Sequence, residues 1–139
     1  MEKMKKYLLD MTVTSNEPLH HDYCLLKLTT EQPLPEMVPG QFVEVRVDDS
    51  PSTFLRRPIS INYVDRIQNE LWLLIRLNGE GTRRMARHKA GETVNVLLPL
   101  GNGFSVPQKP SSPELLLAGG GVGTAPMLYL GESLKKVGF

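Results

Sequence analysis

The sequence has little of what several classes of protein require. Its 139 residues contain one cysteine, Cys24, so the chain can form no internal disulfide and no cysteine-ligated iron–sulfur cluster. No apolar run approaches the roughly 20 residues needed to cross a bilayer. The basic start MEKMKKYLLDM has too short an apolar stretch for a signal peptide. We therefore expect a cytoplasmic protein with no metal site and no membrane contact.

The chain also lacks a large excess of positive or negative charge. Sixteen basic and fifteen acidic residues leave a formal net charge of +1, so no long-range field favours nucleic acid as a partner. Turn-forming residues, in contrast, are abundant. Twelve glycines and eleven prolines in a chain of this length predict many turns between short strands.

Apolar residues alternate with a period of two through most of the chain, which predicts strands. The predicted strands are KYLLDMTVTS, DYCLLKLTT, QFVEVRVD, PISINYV, ELWLLIRL and ETVNVLL. Six short antiparallel strands favour a closed Greek-key barrel, which has no exposed edges, over a two-sheet sandwich. The interruption NGEGTRRMARHKAGE predicts one short helix from Thr82 to Lys89 between the last two strands, with Thr82 as its N-cap.

The composition changes after Leu100. The segment GNGFSVPQKPSSPE contains three prolines and predicts a linker over 103–113, which follows a barrel domain over 1–102. The remaining residues, 114–139, read as a buried strand, a glycine turn and a helix, the first βα unit of a Rossmann-like domain. One such unit cannot bury its own faces. We therefore expect a truncated domain whose tail is disordered or packs on a neighbouring molecule.

The stretch RRPIS, residues 56–60, is the first candidate binding site. Pro58 predicts a stiff strand start at a sheet edge. Arg57 offers a planar fork of donors that suits a phosphate or diphosphate, and Ser60 can bond the polar edge of a ring. The alternative is a solvated arginine pair beside a strand.

Two glycine-rich turns are further candidates for binding phosphate. Gly79 and Gly81 precede the predicted helix, where free N–H groups favour an anion, although an ordinary capped turn has the same pattern. Adjacent strands would bring this turn close to Arg57. The stretch LLLAGGGVGTAP resembles a dinucleotide-binding turn, but its spacing is not a strict GxGxxG.

Other reactive residues predict packing rather than chemistry. His20 and His21 are adjacent and would point apart in an extended chain, so we expect no metal site there. Cys24 alternates with leucines and predicts a core position, and Trp72 is expected to pack. His88 would lie at a helix end, where a positive imidazole suits the dipole. No catalytic serine, histidine and carboxylate set stands out.

Four motifs in order resemble the ferredoxin–NADP reductase-like superfamily, and most of all the electron transfer subunits of class 1B dihydroorotate dehydrogenases. They are RRPIS, LLIRLNGEGT, PLGNGF and LLLAGGGVGTAP. The resemblance implies a six-stranded barrel that binds FAD and a following α/β domain that binds NAD. It also implies an iron–sulfur cluster of the [2Fe–2S] type in complete members, whose cysteines this chain lacks.

The resemblance also implies a role for particular residues. The flavin-binding strand would be formed by Arg57, Pro58, Ile59 and Ser60, with Arg57 on the diphosphate and Ser60 near the isoalloxazine. The second FAD-contacting strand would contain Leu74, Ile75 and Arg76, and the phosphate-binding turn would contain Gly81 and Thr82. The nucleotide-binding loop would run from Gly119 to Pro126 and include Gly120, Gly121 and Gly123.

The function implied is an FAD-binding electron transfer subunit. It would pass electrons from a catalytic dihydroorotate dehydrogenase subunit, in pyrimidine biosynthesis, to NAD within a hetero-oligomer. These residues alone are not expected to reduce NAD. Two alternatives remain: the small subunit of an NADH-dependent ferredoxin–NADP reductase or sulfide dehydrogenase, and a cofactor-free barrel that serves as an assembly module.

Overall fold

The computed structural model describes residues 4–108 and 114–139. Six strands form within them: β1 Tyr7–His20, β2 Tyr23–Thr29, β3 Phe42–Val45, β4 Arg57–Asp65, β5 Glu70–Arg76 and β6 Thr93–Leu100. Helix α1 covers Glu80–Met85, a 3₁₀ turn covers Gly121–Thr124, and helix α2 covers Met127–Val137. No helix in this part of the chain has the length and apolar character to span a bilayer.

The six strands close into an antiparallel barrel in the order β1-β2-β5-β4-β3-β6. Closure depends on β1, which pairs with β6 over Tyr7–Thr12 and with β2 over Thr12–His20. Strands β3, β4 and β5 are consecutive neighbours and β6 returns beside β3, which is a Greek key. The predicted Greek-key barrel is therefore confirmed, and the sandwich alternative is wrong.

The predicted alternation correctly identifies the core. Side chains on one face of β3, β5 and β6 are at most 1% exposed; they are Val43, Val45, Leu71, Leu73, Ile75, Val94, Val96 and Leu98. These residues pack with Met11, Leu26 and Ile61 in one apolar cluster. Removing this apolar surface from water is the main stabilising contribution to the barrel.

The short helix forms where the sequence predicted it, but it begins earlier and ends sooner. Gly79 is the N-cap of α1, and Thr82 is the third helical residue. The Thr82 hydroxyl accepts hydrogen bonds from the N–H groups of Asn78 and Gly79, at 3.1 and 3.2 Å. The prediction of Thr82 as N-cap is therefore wrong, because its side chain reaches back to the chain before the helix.

The strand predicted at the start of residues 114–139 is absent. Residues 114–120 form no strand, and Leu116 is 91% exposed. A parallel strand needs a neighbouring strand to accept its hydrogen bonds, and no described strand lies beside this segment. Helix α2 instead packs on this chain's own barrel: the Tyr129 hydroxyl donates to the Met37 carbonyl at 2.7 Å. The sequence predicts instead a tail that is disordered or packs on a neighbouring molecule.

The domain boundaries remain predictions. Residues 109–113 of the expected linker lie outside the described residues. At its start, the N–H of Phe104 donates to the carbonyl of Pro39 at 2.8 Å, so the linker begins against the barrel.

Two isoleucines provide a matched test of the core. Ile61 is fully buried, whereas Ile67 is 94% exposed in the turn between β4 and β5. We expect Ile61→Ala to lower the free energy of unfolding by about 2–5 kcal/mol, because a cavity replaces packed atoms. Ile67→Ala should change it by less than about 0.5 kcal/mol. Urea denaturation measures both, and equal losses would contradict the core assignment.

The segment after α1 contains a clamp, the hydrogen-bonded pair of His88 and Glu92, whose contribution to stability depends on pH. Nδ1 of buried His88 lies 3.0 Å from Oε1 of Glu92. The hydrogen bond with His88 lowers the pKa of Glu92 below its usual 4.5. A carboxylate with a lowered pKa in the folded state stabilises the fold above about pH 4.5, and this contribution is lost as the pH falls through the lowered value.

Glu92→Gln tests this clamp, since glutamine keeps an acceptor for the N–H of Lys89. We expect the substitution to lower the free energy of unfolding at pH 7 and to have a smaller effect as the pH falls below about 4.5. Urea denaturation at a series of pH values measures the difference. Glu31→Gln, at an exposed position, is the control. A difference that does not vary with pH would rule out the clamp.

Candidate functional site

The barrel opens into a cleft where β4 separates from β5. The ladder between these strands runs from the Asp65–Glu70 pair to the Ile61–Leu73 pair and includes no residue before Ile61. On its other edge, β4 stays paired with β3 as far as Arg57. The first four residues of β4 therefore have a partner strand on one side and the cleft on the other.

Pro58 prevents the ladder from extending along the start of β4. The N–H of Ile61 donates to the carbonyl of Gln41, which precedes β3. Since backbone direction alternates along a strand, Arg57 and Ile59 also direct their N–H groups to β3, while Pro58 and Ser60 face β5. Proline has no N–H to donate, so it cannot continue the ladder on that side.

The edge of β5 is open in the same region. The N–H of Leu77 donates to the carbonyl of Asp22, on the β2 side. By the same alternation, Ile75 directs its backbone to β2, whereas Leu74 and Arg76 direct theirs toward β4 and the cleft. A planar ligand in this cleft would meet backbone groups of both strands as well as side chains.

The cleft has a volume of about 360 Å³ and adjoins a second cleft of about 340 Å³. The first is lined by Arg57, Pro58, Ile59, Ser60, Leu74, Arg76, Asn78, Thr82, Val122 and Ala125. The second is lined by Ser52, Thr53, Arg57, Asn78 and the turn from Gly79 to Thr82. Arg57, Asn78 and Thr82 belong to both, so one elongated ligand could occupy the two together.

Arg57 lies directly against the start of α1. A Cβ atom added to Gly81 would lie 2.9 Å from Nε of Arg57, so the guanidinium and the glycine backbone are in contact. The first hydrogen bond of α1 runs from the N–H of Arg83 to the carbonyl of Gly79. The N–H groups of Glu80, Gly81 and Thr82 precede that bond, next to Arg57. The expectation that strand order brings Arg57 to this turn is confirmed.

The two arginines of RRPIS have different environments. Arg56 is held by the barrel: its guanidinium donates to the carbonyls of Glu44 and Asn95 and to the side chain of Asn95. Arg57 makes no hydrogen bond or ion pair with residues 4–108 or 114–139, and neither does Arg76 across the cleft. Two cations without protein partners give the cleft a positive potential that suits an anion.

The structure does not bring all the predicted residues to the cleft. Ile75 is buried in the barrel core. The glycines of the 119–123 loop do not line the cleft; Val122 and Ala125 of that segment do. The sequence placed Val122 and Ala125 in the predicted nucleotide-binding loop but not in this cleft, because they reach it only through tertiary packing. Asn78 was missed. The sequence feature that could have indicated Asn78 is its position directly before the turn at Gly79.

Of the residues predicted to pack rather than to react, Cys24 and Trp72 lie as predicted. Cys24 is buried, and burial raises the pKa of its thiol to about 11. Trp72 packs under Lys27, whose Nζ lies 4.0 Å from the ring centroid. The expectation that His20 and His21 point apart is wrong, because they lie at a hairpin turn with ring centroids 3.9 Å apart.

Comparison with known proteins gives clear relatives, although no family model matches the chain. The chain is 38% identical over 135 residues to the dihydroorotate dehydrogenase B (NAD(+)) electron transfer subunit of Shouchella clausii strain KSM-K16, a match of 97% of this chain and 52% of that protein. Curated proteins of the same name match at up to 46% identity over 100 residues. The chain thus spans about half the length, or less, of the curated relatives it matches.

Solved structures share the fold. The cytochrome P450 reductase GcoB of Amycolatopsis matches with a TM-score of 0.81 and 24% identity, over 98% of this chain and 41% of that protein. An NADH-dependent reduced ferredoxin-NADP oxidoreductase matches with a TM-score of 0.78 and 24% identity, over 92% and 45%. The chain is therefore similar in sequence to dihydroorotate dehydrogenase B electron transfer subunits over about half of their length, or less, and it shares its fold with the solved reductases.

Proposed function

We propose that this chain is the FAD-binding part of an electron transfer subunit that takes electrons from a catalytic dihydroorotate dehydrogenase subunit and passes them to NAD. The observation that carries the proposal is the position of Arg57. Its guanidinium has no protein partner among the described residues and lies where the two adjoining clefts meet. A ligand with a flat ring system at one end and a diphosphate in the middle fits this arrangement.

The residues around the clefts fit the parts of such a ligand. Arg57 would bind the diphosphate by charge-assisted hydrogen bonds, together with backbone N–H groups of Gly81 and Thr82. Ser60 and the backbone of Leu74 would bond the polar edge of the ring, and Arg76 adds positive charge beside it. The flavin supplies the redox chemistry, and the protein supplies placement and electrostatics. Ile75 would contribute packing from the core.

The wider assembly is part of the same proposal. Its support is the name of the curated relatives, which describes a subunit for electron transfer. A dihydroorotate dehydrogenase catalytic subunit would be the electron donor in a hetero-oligomer. The nucleotide-binding loop from Gly119 to Pro126 would bind NAD in a complete protein. This chain has none of the additional cysteines that a [2Fe–2S] centre would need.

A visible absorption spectrum of the freshly purified protein tests cofactor binding. We expect the absorption bands of bound flavin, with the site close to fully occupied. If the isolated protein lacks them, they should appear after FAD is added and the excess is removed. A colourless protein that takes up no FAD would favour an assembly module instead. The partner is then identified by comparing electron donors: a catalytic dihydroorotate dehydrogenase subunit with dihydroorotate, a ferredoxin, and sulfide. Flavin reduction only by the catalytic subunit with dihydroorotate is the expected result.

Arg57→Ala should weaken FAD binding. The lost charge-assisted hydrogen bonds correspond to about 1.5–3 kcal/mol, or roughly a 10- to 150-fold rise in the dissociation constant. Fluorescence titration with FAD measures it. Arg56→Ala is the matched control: it should lower stability in urea because Oδ1 of Asn95 loses its donor, with a much smaller effect on affinity. Equal effects of the two substitutions on FAD affinity would contradict the assignment.

Gly81→Ala tests the contact between the helix turn and Arg57. The added Cβ would lie 2.9 Å from Nε of Arg57 and 3.1 Å from Cγ2 of Thr53, so the arginine must move. We expect about a tenfold loss of FAD affinity, since a displaced guanidinium loses a charge-assisted hydrogen bond. Gly120→Ala is the control, because its added Cβ meets no atom within 4 Å and Gly120 lines neither cleft. If both variants bind FAD like the unchanged protein, Arg57 does not act from this position.

A further inference from the structure

One side of the cleft is formed by residues distant in sequence from the barrel. Val122 and Ala125, from the 3₁₀ turn and the residue after it, line the cleft together with Ser60 and Arg76. Val122 is 51% exposed, whereas Ala125 is 3% exposed. The shape of the cleft therefore depends on how residues 119–125, here called the glycine loop, are held against the barrel.

A single buried side chain joins the glycine loop to β4. The Nδ2 group of Asn62 donates to the carbonyl of Ala125 at 2.7 Å, and Asn62 is 7% exposed. A buried side-chain amide without a hydrogen-bond partner is costly, so this bond favours the position in which the loop lies against β4. Asn62 lies only two residues beyond Ser60, which lines the cleft.

The β4–β5 ladder explains why Asn62 faces the loop. Ile61 pairs with Leu73 and Tyr63 pairs with Trp72, so Asn62 is the extra residue of a bulge. Alternation from core-facing Ile61 places Asn62 on the outer face, and the bulge shifts the alternation so that Tyr63 also lies there, before Val64 returns to the core. Ile61 points into the core, and the adjacent Asn62 is covered by the C-terminal segment.

The rest of the C-terminal segment has attachments of its own. The Tyr129 hydroxyl donates to the carbonyl of Met37, and the Tyr129 ring meets that of Tyr63 edge to face, with centroids 6.0 Å apart. These contacts hold α2 on the barrel independently of Asn62. The Asn62 bond is therefore specific to the glycine loop.

We infer that Asn62 is a positioning residue that holds the glycine loop as a wall of the cleft and so limits solvent access to whatever binds there. This role deepens the proposed function and rests on it for the identity of the ligand. Asn62 lines neither cleft and would not bind the ligand itself. Its effect would reach the ligand through the position of Val122 and Ala125.

The first arm of the test needs no ligand. Hydrogen exchange by mass spectrometry follows the amides of residues 119–130 in the purified protein, in the unchanged sequence, in Asn62→Ala and in Tyr129→Phe. We expect Asn62→Ala to speed exchange in the glycine loop about five- to tenfold, with the barrel strands unchanged, because the loop opens more often. Tyr129→Phe should act mainly on α2. No change in the loop of Asn62→Ala would overturn the inference.

The second arm of the test measures how accessible a flavin in the cleft is to solvent. In protein loaded with FAD, iodide quenching of flavin fluorescence should be at least about twofold stronger in Asn62→Ala than in the unchanged protein. Asn62→Gln, which keeps a longer amide donor, should restore part of the protection. Unchanged quenching in Asn62→Ala would overturn the role in solvent access. If the unchanged protein binds no FAD, the proposed function fails, and the exchange data still decide whether Asn62 holds the loop.

Discussion

The missing amide hydrogen of Pro58 is the constraint on which the site depends. A closed barrel satisfies its backbone by pairing every strand with two neighbours, and each ladder residue facing a neighbour needs an N–H to donate. Pro58 turns its substituted nitrogen toward β5, and pairing between β4 and β5 ends at Ile61 and Leu73. The barrel remains closed because β4 and β5 still pair from Ile61 to Asp65, and the cleft forms where this ladder ends.

The charges of the site follow from the same short stretch of chain. Arg56 and Arg57 are adjacent, and the strand sends them to different surroundings. Arg56 bonds Asn95 and the carbonyl of Glu44, where it contributes to the outer surface of the barrel. Arg57 starts β4 and lies beside Gly81, with no described partner for its charge. One arginine thus serves the fold, and the other is available to a ligand.

The C-terminal residues complete the cleft without forming the unit that their sequence pattern predicts. Helix α2 and the glycine loop rest on β4 through Asn62, Tyr63 and Tyr129. Leu116, at the segment's start, stays exposed because no strand pairs with it. The chain spans about half of its curated relatives. The barrel and the cleft, in contrast, form from the residues present.

The sequence by itself determined the barrel and the centre of the site. A period of two is a local property that separates core from solvent-facing residues, so the six strands could be predicted before any pairing was known. The proline and arginines of RRPIS and the glycines before α1 have chemistry that does not depend on neighbours. The tertiary structure decided what depends on contacts between distant residues: the buried position of Asn62 and the approach of Val122 and Ala125. It also decided the strand missing at residues 114–120, because a strand exists only where another backbone accepts its hydrogen bonds.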